Sequence, residues 1–212
     1  MLRTLRNNVV EYLRANIVAY FFITLIILVG VVVGALAVKT LPDDQKTELV
    51  SYLRIFLQGL NSGTAAATAD SGTFFGVLAN NAKAVLLMWA LGFTIIGLPL
   101  VLFIVFIRGF VIGFTVGFLV NEYVVKGLAF ALVAVLPQNF LAVPAVIGTA
   151  VAAVSFSLLL ARKELRAKTN LAYAAFGYTL WCIIMLTLMG MATLVEVYIS
   201  PVLMKLVVDT VL

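Results

Sequence analysis

Residues 17–38, 84–107 and 140–161 contain no charged side chain, and residues 171–199 contain only Glu196. Each run exceeds the roughly 20 residues with which an α-helix crosses a hydrocarbon core. Lipid offers no water to exposed peptide groups, so runs of this kind must be helices that satisfy their own hydrogen bonds. They leave little chain for a soluble domain. The 212 residues are 64% hydrophobic and 11% charged, whereas soluble domains carry about 25% charged residues. The expected fold is a single all-α integral membrane domain.

The remaining segments follow from their patterns. In residues 1–16, Leu2, Leu5, Val9 and Leu13 share a helical face from which Arg3, Arg6 and Arg14 are largely excluded. That suits a basic helix lying on an anionic inner leaflet, although the same arginines also serve as positive-inside charges on a plain tail. Residues 17–38 form the first span; Ala35-Leu36-Ala37 resembles a signal-peptidase site, but the run is too long for a secretory core and reads as a retained anchor. Residues 39–83 form an outer loop. Within it Asp43 and Asp44 start an amphipathic helix bearing Leu49, Leu53, Phe56 and Leu60, and residues 62–72 read as a small, polar linker. The second span, 84–107, should bend at Pro99 and end at Arg108 as a membrane edge. Residues 109–120 and 128–136 are each too short to cross, with Asn121, Glu122 and Lys126 between them.

Parity resolves that segment. Both the N-terminal arginines and the basic loop 162–170 should be cytoplasmic by the positive-inside rule, so an even number of crossings separates them. Residues 109–136 must then count as one broken third span, followed by spans at 140–161 and 171–199. The expected total is about five, with the N-terminus cytoplasmic, and the 39–83 loop and the 200–212 tail extracytoplasmic.

Three strips of small residues invite close helix contact: Gly109, Gly113 and Gly117; Ala145, Thr149, Ala153 and Ser157; and Gly30 with Gly34. Such strips serve equally for packing within one chain and for a homodimer seam. Glu122 and Lys126 would pair across one helical turn, either as part of an ion or proton path or as a self-satisfied pair near the outer interface. Gln138, Asn139 and Glu196 complete the intramembrane polar candidates, and Glu196 would reach residues 136–139 if those elements meet.

The chain has no histidine, and its single cysteine, Cys182, sits in an apolar run. The commonest general base and zinc ligand are therefore missing. Phosphate-loop, zinc-protease, serine-elbow and paired-cysteine motifs do not occur. No catalytic residue, cofactor or metal is expected. The net charge of +5 comes from basic residues at the ends of apolar runs, so nucleic acid is not an expected partner.

Residues 108–118 (RGFVIGFTVGF), 135–164 (VLPQNFLAVPAVIGTAVAAVSFSLLLARKE) and 196–201 (EVYISP) resemble the stage II sporulation protein M family of bacterial engulfment membrane proteins. The basic N-terminal segment, the first span and residues 45–53 (QKTELVSYL) agree with it. Where the wider family often carries Leu-Pro-His and a Glu before the second proline, this chain has Gln138 and Ala142, which removes both acid–base groups. The resemblance implies a non-enzymatic scaffold that holds two peptidoglycan hydrolases, stage II sporulation proteins D and P, at the septal membrane during forespore engulfment. Leu49, Leu53, Phe56 and Leu60 would anchor partners. The competing expectation is a permease-like or channel-like subunit moving a small solute or lipid, which needs a polar-lined path.

Overall fold

The computed structural model describes residues 16–61, 71–162 and 170–211. The expected N-terminal interfacial helix, most of the 62–72 linker and most of the basic 162–170 loop lie outside them. Every described element is helical: α1 (Ile17–Ala37) with a 3-10 turn at Val38–Thr40, α2 (Asp43–Asn61), α3 (Ser71–Gly92), α4 (Gly97–Ala161), α5 (Leu171–Leu194), a π turn at Val195–Ile199 and α6 (Ser200–Val211). Among the described residues, five stretches are long and apolar enough to span a membrane: Ile17–Thr40, Phe74–Gly92, Gly97–Asn121, Gly127–Ala161 and Leu171–Val207.

The chain is divided into spans differently from its uncharged runs. The 84–107 run is cut by a turn at residues 93–96. There Thr94 Oγ1 donates to the Leu91 carbonyl, and the Gly97 amide donates to Thr94 Oγ1. A side chain at Gly97 would strike the Leu91 carbonyl, so the turn requires glycine at this position. Pro99 consequently lies in the first turn of α4, where amides have no intrahelical acceptor, and it does not kink a span interior. Arg108 lies near the middle of the candidate span Gly97–Asn121.

Residues 109–136, read from sequence as one broken crossing, are helical throughout and belong to α4, and the candidate spans Gly97–Asn121 and Gly127–Ala161 each take part of them. The two halves of α4 lie side by side. Ser157 Oγ, near the end of α4, donates to the Thr94 carbonyl just before its start, so the chain doubles back between them. Helical structure runs on through Pro137 and Pro144, and the Asn139 amide donates to the Val135 carbonyl on the turn that Pro137 disturbs.

Two ends of the bundle are thereby defined. Ser155 Oγ donates to Asn16 Oδ1, which puts the start of α1, the 93–96 turn and the end of α4 together. Lys39, α2 and α6 lie at the opposite end, with Leu119, Phe130 and Ala131 of α4. The second half of α4 is the centre of the bundle, with Ala145, Val146, Thr149, Ala150, Val151 and Ala153 all fully buried.

α1 lies against the first half of α4 in backbone contact. A Cβ on Gly30 would sit 2.5 Å from the Phe106 carbonyl oxygen, and one on Gly117 would sit 2.9 Å from Ala35 Cα. Cβ atoms on Gly34, Gly109 and Gly113 would strike the carbonyls of Phe110, Ile27 and Val31 respectively. The matching four-residue steps make the two helices parallel. In lipid, where burial of apolar surface between helices gains little, this close approach supplies the dispersion contact that holds them.

Replacing Gly113 with Val should force the helices apart and lower stability by about 2–4 kcal/mol. Gly76→Ala, where nothing lies within 4 Å of the added carbon, should be neutral or stabilising by up to about 1 kcal/mol. Unfolding of the purified variants in mixed detergent measures both.

Candidate functional site

A charged side chain at mid-membrane is costly unless it finds partners. Arg108 finds one in α3, and that residue joins it to α5. The Arg108 Nη2 donates to Asn81 Oδ1 at 3.3 Å. The Asn81 amide in turn donates to Glu196 Oε2 at 2.7 Å and to Thr193 Oγ1 at 3.2 Å. Thr193 Oγ1 donates to the Met189 carbonyl of its own helix. Asn81, Thr193 and the nearby Ser200 are buried. One carboxamide thus bridges a guanidinium and a carboxylate of opposite charge, using its oxygen toward one and its nitrogen toward the other.

Glu196 sits in the π turn at Val195–Ile199. The i→i+5 pattern interrupts the ordinary ladder and recurs at functional positions. Two polar atoms here are buried without a hydrogen-bond partner, Arg108 Nε and Ser200 Oγ. The cluster is neutral overall and joins α3, α4 and α5. It offers no nucleophile paired with a base, and among the described residues no group of His, Cys, Asp or Glu could hold a metal.

Sequence reading singled out Glu196 but not its partners. Asn81 was assigned to the outer loop because Asn80, Asn81 and Lys83 depress the local average: the span Phe74–Gly92 has a mean hydropathy of 1.4 against 3.0 for Ile17–Thr40. Arg108 was taken for an edge. Glu196 accepts from Asn81, and the Asn139 amide donates within its own helix. Gln138 is half-buried. The side chains of Glu122 and Lys126 lie outside the described ones.

The small-residue strips point inward. Gly109, Gly113 and Gly117 meet Ile27, Val31 and Ala35 of the same chain. Ala145, Thr149 and Ala153 are fully buried; Thr149 Oγ1 donates to the Ala145 carbonyl, and Ala153 lies against Gly92.

At the far end, Leu119, Phe130, Ala131 and Met204 form a second apolar cluster, covered by Leu53 of α2 and Val207 of α6. Leu53 is therefore committed within the chain, and Leu49 is half-buried. Phe56 and Leu60 have side chains outside the described ones. The outward face of α2 carries Tyr52 and Ile55, 62% and 65% exposed.

The family model described as stage II sporulation protein M matches residues 23–201, which include the polar cluster, both glycine strips and α2. No curated protein and no solved structure matches the chain.

Removing the bridge should expose the dependence of both charges on it. Asn81→Ala should destabilise the protein by about 1–3 kcal/mol. Arg108→Met and Glu196→Gln should each cost less once Asn81 is gone, with a coupling of about 0.5–3 kcal/mol in double-mutant cycles of detergent unfolding. Additive costs would show that the cluster does not act as a unit.

Proposed function

We propose that this chain, which belongs to the stage II sporulation protein M family, is a membrane scaffold without catalytic chemistry of its own. It anchors peptidoglycan hydrolases of the kind represented by stage II sporulation proteins D and P at the septal membrane during forespore engulfment. The N-terminus and the 162–170 loop are cytoplasmic, and α2 and α6 face the cell wall, where such enzymes act. Charge supports this orientation. With Arg108 assigned to a span interior, Arg162 lies at the Asn16 end, Lys163, Arg166 and Lys168 follow it in the sequence, and Arg3, Arg6 and Arg14 precede Asn16.

The observation that carries the reading is the amphipathic α2. One side, through Leu53, is fastened to the bundle; the other presents Tyr52 and Ile55 beside the exposed Arg54. Aromatic and aliphatic side chains on a fixed helix are suited to act as binding anchors. The apolar packing of the interior favours anchoring over transport: Val101, Val105, Val146 and Val151 are buried where a conducting path would need polar lining.

Changing Tyr52 and Ile55 together to Asp should reduce co-purification of both hydrolases by more than about tenfold, while membrane insertion stays intact. Unchanged co-purification would overturn the docking role and leave α2 as a helix resting on the membrane surface. Leu53→Asp is the wrong test, because it disrupts the packing beneath α2.

A further inference from the structure

A groove of about 790 Å³ opens at the Asn16 end of the bundle, between α1 and both halves of α4. Its wall is apolar, built from Phe22, Ile23, Ile26, Leu102, Val154 and Leu158, and its rim carries Asn16, Ser155 and Arg162. Sites for small molecules occupy roughly 300–1,000 Å³, so the space suits the first part of an acyl chain together with its linkage.

The two kinds of surface are separated along the groove. Ser155 donates to Asn16 Oδ1 at 2.7 Å, which fixes the polar rim across α1 and α4. Arg162 closes α4 as its C-cap residue and is exposed. It makes no ion pair with any described residue. Lys163, Arg166 and Lys168 follow it in the sequence. A hydrocarbon wall leading to a guanidinium at the edge of a span matches a lipid with a negatively charged headgroup, since basic pockets between spanning helices on the cytoplasmic side recognise such headgroups.

A second groove, of about 970 Å³, gives a useful contrast. It is lined by Ile27, Ile112, Leu132 and Leu188, and its polar residue is Asn139, which is engaged with its own helix. With no cation on its lining, it has nothing to select one headgroup over another.

We propose that the groove at the Asn16 end is a binding site for one anionic phospholipid, with an acyl chain along Phe22, Ile26 and Leu158 and the phosphate at Arg162. The assignment is independent of the hydrolase-anchoring role, and it applies whichever leaflet that end faces.

Native mass spectrometry of the whole protein in detergent, titrated with phosphatidylglycerol, phosphatidylcholine or glycerol 3-phosphate, tests it. Phosphatidylglycerol should form a one-lipid adduct at about tenfold lower concentration than phosphatidylcholine. Arg162→Gln should abolish that preference and Arg162→Lys should keep most of it. Ala19→Phe, which fills the groove, should weaken both lipids alike, and size-exclusion behaviour with helical content verifies that each variant is folded. Equal binding of the two lipids, or a preference untouched by Arg162→Gln, would mean ordinary annular lipid and overturn the site. Glycerol 3-phosphate binding as tightly as the lipid would overturn the role of the apolar wall.

Discussion

Backbone contact between α1 and the first half of α4 is the constraint on which the rest of the bundle depends. Inside lipid, two helices gain nothing from hiding hydrocarbon from water, so their association rests on how closely atoms approach. Gly30 and Gly34 on one side, with Gly109, Gly113 and Gly117 on the other, bring main chain against main chain. That contact spends the small residues of both helices on each other. The outer face of α1 is left with Phe21, Leu25, Leu28 and Val32 exposed. It also sets the height of α4 relative to α1, and thereby the height of Arg108.

The polar cluster follows from that placement. With Arg108 at mid-span, α3 and α5 must bring polar groups to the same level, and they do so through Asn81, Thr193 and Glu196. Polar bonds between spanning helices are individually modest, because the separated helices also find partners. Their geometric demand is nevertheless strict. A carboxamide that serves a cation and an anion at once fixes both the rotation and the depth of three helices. The glycine contact and the polar cluster are therefore complementary, one specifying closeness and the other specifying register.

Much of this was legible in the residues. The uncharged runs indicate an all-helical membrane domain with about five spans, and the helix starting at Asp43 is visible from its two aspartates and the spacing of its leucines. The glycine strips announce close contact, though not with whom. What was not legible has a common physical origin: charge was used as a marker of the membrane edge. Arg108 breaks that rule because it has partners, and Asn81 and Lys83 hide the start of a span by lowering its hydropathy. The turn at residues 93–96 is apolar apart from Thr94, so hydropathy runs straight through it. The clue lay in local chemistry, in a threonine three residues before a glycine and that glycine two before a proline. Pairings such as Asn81 with Glu196 join distant parts of the chain and have no local signature.

The order of Arg108 and Glu196 along the chain has a consequence for biogenesis. Translation makes Arg108 before Glu196, so the guanidinium is synthesised ahead of its carboxylate counterpart. Insertion scales put the cost of an arginine at mid-helix at about 2.5–3.5 kcal/mol. Asn81 emerges earlier and is the first group able to shield it. The span that carries Glu196 supplies the carboxylate end of the cluster.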